Sequence, residues 1–127
     1  MNENEIGTIV VNTAFHIHKN LGPGLLESVY EAVLMRSLVK KGLSVQRQIP
    51  ISIEFEGERF DEGFRIDLFI NEKVIIELKS VEKIIPVYKK QLLTYLKLTK
   101  TKLGYLINFG EEVMKDGIVR IINGIID

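Results

Sequence analysis

Asp67, Glu77 and Lys79 are the residues whose types and spacing best suit catalysis. Asp67 lies in one segment with the composition of a β-strand, and Glu77 and Lys79 end the next such segment, beyond a polar link at residues 71–73. If the two strands form a hairpin across that link, the pairing register predicts that Asp67 lies opposite Glu77. Lys79 is two residues beyond Glu77 and therefore points to the same face of the sheet.

Two opposed carboxylates with an ammonium group beside them are suited to binding a divalent cation. Opposite side chains of an antiparallel ladder have Cβ atoms about 5 Å apart, so their negative charges repel each other unless a cation lies between them. Mg²⁺ and Mn²⁺ prefer hard oxygen ligands and can promote phosphodiester hydrolysis. The alternative is an ordinary hairpin in which Arg65 pairs with Asp67 and Lys79 pairs with Glu77. The spacing alone does not separate these two interpretations.

Gln91 and Tyr95 form a second candidate pair. They are four residues apart in a segment with helical periodicity, so they lie on one face of the predicted helix. Gln91 could donate a hydrogen bond to a phosphate, and Tyr95 could contact the backbone or a base of a nucleic acid. Equally, Tyr95 could be a half-buried core aromatic residue and Gln91 a surface residue.

Glu27 is a third candidate, near the start of a predicted helix and between the apolar residues Leu26 and Tyr30. A carboxylate costs free energy to bury without a partner. Glu27 could complete a metal site with Asp67 and Glu77, or it could stabilise the helix N-terminus by about 0.3–1 kcal/mol. The residues by themselves favour the second role.

The composition predicts one globular domain that spans residues 1–127. The chain has no cysteine, which excludes disulfides, thiolate zinc sites and a cysteine nucleophile, and fits a reducing compartment. It has no run of about 18 uncharged apolar residues and no basic secretory start, so we expect no membrane span and a cytoplasmic location.

The charges are unevenly distributed although the formal net charge is zero. Residues 79–102 contain seven lysines, including Lys89 and Lys90, and one acid, whereas residues 54–62 contain five acids and one arginine. A generic nucleic-acid-binding protein is usually basic, but the lysine-rich half alone could face a phosphate backbone. Solvated helix faces are the other interpretation of such lysine runs.

The hydrophobic periodicity predicts an α/β protein. We predict helices at residues 5–20, 24–41 and 86–98, strands at residues 44–55, 59–70, 73–80, 103–109 and 119–122, and a polar loop around residues 115–117. The helix between the third and fourth strands should form a right-handed crossover to a parallel neighbour. The sequence therefore predicts a mixed sheet with helices on both faces.

The three motifs occur together and in order, and in this combination the chain resembles the GxxExxY family. The pattern that names this family is seen here as Gly24, Glu27 and Tyr30, and the similarity extends from His18 through Gly110. The family is classed in the PD-(D/E)xK nuclease superfamily. The resemblance implies a three-layer restriction-endonuclease-like αβββαβ core around a mixed sheet, with an extra N-terminal helix.

The resemblance also implies roles for individual residues. Asp67, Glu77 and Lys79 would be catalytic, and Lys79 would be the superfamily's lysine. Glu27, Asp67, Glu77 and the Leu78 backbone carbonyl would be the ligands of Mg²⁺ or Mn²⁺, so the resemblance raises Glu27 above the helix-terminus role. Ile66 stands where the superfamily label has proline.

The remaining implied roles concern nucleic acid. Gln91 and Tyr95 resemble the Gln-x-x-x-Tyr motif of RecB-type nucleases, and with Lys89 and Lys90 they would bind the substrate. The leading hypothesis is a metal-dependent nuclease that acts on DNA. The alternative is a nucleic-acid-binding or protein-interaction module that keeps the nuclease fold without turnover. A homodimer would offer more surface to grip a duplex, but the sequence does not decide the oligomeric state.

Overall fold

The computed structural model describes residues 1–126 and has a five-stranded mixed sheet with helices on both faces. The elements are α1 (Glu3–Leu21), α2 (Glu27–Lys40), β1 (Val45–Phe55), β2 (Glu58–Ile70), β3 (Val74–Lys79), α3 (Pro86–Thr99), β4 (Leu103–Asn108), a 3₁₀ helix (Met114–Gly117) and β5 (Ile118–Ile122). The sheet order is β1-β2-β3-β4-β5, with β3 and β4 parallel and the other neighbours antiparallel. This architecture confirms the predicted α/β fold, including the extra N-terminal helix.

Local sequence signals account for the helix ends. The Asn2 side chain accepts a 2.8 Å hydrogen bond from the Glu5 N–H, and the Glu5 side chain accepts one from the Asn2 N–H, which forms a capping box for α1. Pro86 lies in the first turn of α3, where a missing N–H costs nothing. Within residues 1–126, no helix is long and apolar enough to cross a membrane.

Strand β3 lies at the centre of the sheet and is covered on both faces. Ile76 belongs to the apolar cluster formed with α1 and α2, whereas its neighbour Ile75 belongs to the cluster formed with α3. Both side chains are fully buried. Because successive side chains of a strand point to opposite faces, a strand buried on both sides has an apolar side chain at nearly every position.

Strands β1 and β2 are much longer than β3. They have 11 and 13 residues against six, and β2 pairs with β3 only over the three residues that end at Ile70. The distal part of this hairpin, residues 51–64, extends past β3 and is called the β-arm below. The β-arm contains all five acids of residues 54–62, and these acids are exposed.

Two local predictions were wrong. The polar loop predicted around residues 115–117 is part of a 3₁₀ helix, because Met114 is buried in the core and anchors the segment. Helix α2 begins at Glu27 rather than near Gly24, since Gly24 has a φ of 107°, which a right-handed helix does not accommodate. The other predicted ends lie within a few residues of those observed.

Candidate active site

Asp67 and Glu77 meet where strands β2 and β3 stop pairing. The last paired residues of the ladder are Leu68 and Ile76. Beyond them, the Asp67 N–H donates a 3.1 Å hydrogen bond to Glu77 Oε1, and the Leu78 N–H donates a 2.8 Å hydrogen bond to Asp67 Oδ2. Side-chain oxygens therefore replace the backbone ladder at this point, and they bring the two predicted acids together.

The backbone of Leu78 faces the same gap between the strands. The Lys79 carbonyl accepts a 2.8 Å hydrogen bond from the Phe109 N–H beside β4. Because peptide groups alternate in direction along a strand, those of Leu78 face the opposite way, towards β2. The Leu78 N–H bond to Asp67 agrees with this direction. The Leu78 carbonyl is thus directed to the side on which the carboxylates lie.

The two carboxylates are short of compensating positive charge. Glu77 is 8% exposed, and burial, together with the negative charge of Asp67, raises its pKa to about 8. The positive charge of Lys79 opposes that shift only in part. The pKa of Asp67 is also raised, chiefly by burial, although the Leu78 N–H bond lowers it. Removing two interacting acids from water without a cation produces this pattern.

Lys79 lies beside the acids without pairing to them. Its Nζ is 4.4 Å from the centroid of the Tyr88 ring, in a cation–π contact. The ion pairs among residues 1–126 are Arg47–Glu31 and Arg59–Asp61. The part of the chain that the structure describes therefore lacks the pairs of the ordinary-hairpin alternative, Arg65 with Asp67 and Lys79 with Glu77.

A cleft of about 450 Å³ opens next to these groups. The β-arm and its base form one wall, the end of β3 forms another, and α3 forms a third. Its lining residues are Pro50, Asp61, Gly63, Phe64, Arg65, Glu77, Lys79, Gln91 and Tyr95. Four of the residues singled out from the sequence, Glu77, Lys79, Gln91 and Tyr95, thus line one cleft.

Tyr95 combines features of both interpretations that the sequence left open. It is 7% exposed, and its ring makes an edge-on contact with Phe64 at a centroid distance of 5.5 Å, as a core aromatic residue would. It also lines the cleft. Burial, with the negative charges of Glu77 and Asp67, raises the pKa of Tyr95 to about 12. Its hydroxyl therefore stays protonated near neutral pH and can donate a hydrogen bond.

The structure does not bring Lys89 and Lys90 into this cleft. Both are exposed on α3. Lys89 lines a separate cleft of about 300 Å³, whose other charged residues are Lys83, Glu111 and Asp116.

Glu27 is near Asp67 and Glu77 but makes no hydrogen bond to either of them. It is exposed in the first turn of α2, and its negative charge contributes to the raised pKa values of Asp67 and Glu77. Among residues 1–126, no group of three or more histidine, cysteine, aspartate or glutamate residues is arranged to hold a metal ion. The structure therefore links two of the three predicted acids, Asp67 and Glu77, through a hydrogen bond from the Asp67 N–H to the Glu77 carboxylate.

Tyr30 fixes the loop that precedes Glu27. Its side chain is fully buried and stacks on Phe109 at a centroid distance of 4.3 Å. The hydroxyl donates a 2.5 Å hydrogen bond to the Gly22 carbonyl and accepts a 3.1 Å bond from the Leu25 N–H. Tyr30 of the Gly-x-x-Glu-x-x-Tyr pattern therefore ties down the loop that contains Gly24 and leads to Glu27.

A family model described as the PD-(D/E)XK nuclease superfamily matches residues 4–121 of this 127-residue chain. The chain belongs to the PD-(D/E)XK nuclease superfamily. Membership indicates a nuclease with a nucleic-acid substrate, and divalent metals are the general cofactors of the superfamily. No curated protein and no solved structure shows significant similarity to the chain.

The donor set fits the divalent cation that the superfamily uses. Asp67 and Glu77 offer carboxylate oxygens, and the Leu78 carbonyl is directed towards them, which is the hard-oxygen chemistry preferred by Mg²⁺ and Mn²⁺. The raised pKa values of both acids show that added positive charge would stabilise their ionised forms.

Sequence reasoning missed Glu31 and Gln48, which are hydrogen-bonded to each other next to Asp67. Glu31 is 5% exposed and bonds to Arg47 and Gln48, and the Gln48 amide also contacts Asp67. Glu31 follows Glu27 by four residues, so helical spacing could have placed both acids on one face of α2. No pattern in the sequence marks Gln48, because its position depends on an unusual backbone conformation in β1.

Proposed function

We propose that this protein is a metal-dependent nuclease that hydrolyses phosphodiester bonds of DNA. The observation that carries the proposal is the pairing of half-buried Asp67 with buried Glu77, whose carboxylate accepts a hydrogen bond from the Asp67 N–H at the edge of a cleft that Lys79 also lines. An arrangement that raises the pKa of both acids destabilises the fold when they are ionised and no cation is bound. A cation-binding role accounts for this arrangement.

Asp67, Glu77 and the Leu78 carbonyl would hold Mg²⁺ or Mn²⁺, and Glu27 is proposed as a further ligand from the start of α2. When bound, the cation supplies positive charge to the phosphate and favours deprotonation of an attacking water. The protein's own contribution is to keep two carboxylates together at a partly dry site, where electrostatic interactions are stronger than in water.

Lys79 would act on the phosphate or the attacking water. Its ammonium group lines the cleft and is held over the Tyr88 ring. A lysine that the neighbouring acids do not neutralise can donate hydrogen bonds to oxygens that gain negative charge in the transition state. Its cation–π contact would limit the rotation of a side chain that is otherwise flexible.

The nucleic acid would lie along α3. Gln91 and Tyr95 line the cleft and would donate hydrogen bonds to the backbone of the strand being cut. Lys89 and Lys90 lie on the same helix outside that cleft, so we propose that they attract the flanking phosphates. The resemblance to the GxxExxY family and to the Gln-x-x-x-Tyr motif supports this assignment. We also propose that the substrate is DNA rather than RNA, that the protein is cytoplasmic, and that it acts as a homodimer.

A binding module without turnover is the second candidate. The observation that favours it is the acidic β-arm, which forms one wall of the cleft and repels a polyanion. Calorimetric titration with Mg²⁺ or Mn²⁺ separates the two candidates. Binding that is lost in Asp67→Asn supports the nuclease, and no binding at millimolar metal supports the module.

The direct test is a cleavage assay with linear, circular and single-stranded DNA, and with RNA, in the presence and absence of Mg²⁺. Lys79→Ala should reduce cleavage by at least about 100-fold, the usual cost of removing one group that stabilises transition-state charge. Lys115→Ala is the matched control, because Lys115 is an exposed lysine of the 3₁₀ helix, and it should cleave normally.

Equal melting temperatures for the two lysine variants would show that the loss is not unfolding. Persistent cleavage by Glu77→Ala combined with Lys79→Ala would mean that the activity belongs to another site or to a contaminant. Cleavage of RNA but not DNA would correct the proposed substrate and leave the metal site intact.

A further inference from the structure

A glutamine in a strained conformation lies opposite Asp67 in the sheet. Gln48 has a φ of 53°, in the left-handed region that residues with a side chain rarely adopt, yet it lies inside strand β1. The pairs Arg47–Leu68 and Ile49–Ile66 flank it on both sides, so the register places Gln48 across from Asp67. Such a conformation persists only where surrounding contacts offset its cost.

The Gln48 side chain supplies those contacts. Its amide nitrogen Nε2 lies 2.5 Å from Glu31 Oε1 and 3.3 Å from Asp67 Oδ1. An amide NH₂ group has two hydrogens and accepts none, so it can donate one to each carboxylate. The glutamine therefore joins a carboxylate of α2 to a carboxylate of β2.

Glu31 is suited to bracing this amide rather than to binding a cation. It is 5% exposed, its Oε2 accepts a 2.5 Å charge-assisted hydrogen bond from Arg47 Nε, and its Oε1 accepts the bond from Gln48. Each oxygen already has a donor, and Arg47 balances the charge. Both oxygens of Glu31 consequently have hydrogen-bond donors within the protein itself.

Asp67 is held at both of its oxygens. The Leu78 N–H donates to Oδ2 and the Gln48 amide donates to Oδ1, so the rotation of the carboxylate is fixed from two sides. Each carboxylate oxygen has a second lone pair, which these bonds leave for a cation.

We propose that Gln48, braced by Glu31, is a positioning residue that orients the Asp67 carboxylate for cation binding. The inference rests on the proposed function, because that function makes Asp67 a ligand. Hydrogen-bonding partners that orient a metal ligand typically account for about 10- to 100-fold in metal affinity. The strained backbone of Gln48 is then retained because it aims the amide between the two acids.

Two substitutions separate the amide from the strain. Gln48→Met keeps a side chain of similar length and the strained backbone but removes the NH₂ group, whereas Gln48→Gly removes both the amide and the strain. Lys100→Gly is the matched control, since Lys100 has a φ of 55° at the C-terminal end of α3, away from the acids.

Calorimetry with Mn²⁺ and thermal unfolding of the metal-free protein give the first readouts. Both Gln48 variants should bind Mn²⁺ about 10- to 100-fold more weakly than the wild type. Gln48→Gly should unfold at a higher temperature than Gln48→Met. Lys100→Gly should leave the Mn²⁺ affinity unchanged and raise the unfolding temperature. Wild-type Mn²⁺ affinity in both Gln48 variants would overturn the inference.

The backbone amide of Leu78 gives a readout that needs no metal. Because this N–H bonds to Asp67, its proton chemical shift and hydrogen exchange should change in Gln48→Met. An unchanged Leu78 signal would refute the positioning role. A changed signal in a protein whose wild type binds no Mn²⁺ would support the positioning of Asp67 and defeat only the proposed metal site.

Discussion

The two ends of the β2–β3 hairpin differ although the same two strands form both. At the turn end, Ile70 pairs with Val74 and both side chains are fully buried. At the other end, the ladder stops, and Asp67 and Glu77 occupy the gap with raised pKa values. Within a few residues, the hairpin thus changes from a region that stabilises the fold to one that destabilises it. This pattern is expected where a strand enters a functional site.

The largest change in stability should come from the paired region. Leu68→Ala removes a fully buried side chain from the last pair of the ladder and should lower the free energy of unfolding by about 2–5 kcal/mol. Chemical denaturation measures this loss. If Leu68→Ala proves as stable as the wild type, the two ends do not differ as described.

Metal binding should stabilise the protein only through the end of the hairpin that holds Asp67 and Glu77, called the gap end. Mn²⁺ at 100 times its dissociation constant should raise the free energy of unfolding by about 2.7 kcal/mol, because it binds only the folded protein. Asp67→Asn should abolish this gain, whereas Leu68→Ala should keep it on a lower baseline. Thermal unfolding of the three proteins with and without Mn²⁺ tests the separation. Equal stabilisation of Asp67→Asn would place the metal elsewhere.

The metal-free gap should make stability depend on pH. Burial and the charge of Asp67 raise the pKa of Glu77 to about 8, well above the ordinary value of 4.5, so between these pH values the folded state holds a proton that the unfolded state releases. The contribution of this proton to the free energy of unfolding is therefore fully present below the unfolded pKa. It is lost as the pH rises from there through the folded pKa, by up to about 1.4 kcal/mol per pH unit. Glu77→Gln should flatten this dependence in denaturation curves recorded from pH 5 to 8, and an unaltered slope would assign it to another group.

The smallest expected effect lies in the loop before α2. Tyr30→Phe keeps the stacking on Phe109 but removes the hydroxyl bonds to Gly22 and Leu25. The cost should be about 1 kcal/mol. If this loop also places Glu27 towards the gap end, Mn²⁺ affinity should fall together with stability. A change in stability with unaltered affinity would confine Tyr30 to a structural role and remove Glu27 from the proposed ligands.

The sequence predicted what depends on short-range periodicity. Alternating side chains and the polar link at residues 71–73 were enough to predict the β2–β3 hairpin, and its register brought Asp67 to Glu77. The contact itself is made through backbone N–H groups in a gap, because the strands separate there. Strand periodicity carries no information on where two strands separate.

What the sequence did not predict depends on contacts between elements. Gln48 has no motif, and its role comes from a left-handed backbone conformation and from acids on two other elements. The position of Lys89 in the chain also did not show that it lines a cleft separate from that of Gln91 and Tyr95, and its nucleic-acid-binding role stays a prediction. The buried side chain of Met114 likewise determines a 3₁₀ helix that local polarity concealed.

The acids of the β-arm and the lysines of α3 lie on different elements of a molecule whose formal charges cancel. Such a molecule has an electric dipole although its net charge is zero. The field of a polyanion would exert a torque on this dipole before contact and turn α3 towards the approaching strand. Added salt should therefore slow productive encounters by weakening alignment as well as attraction.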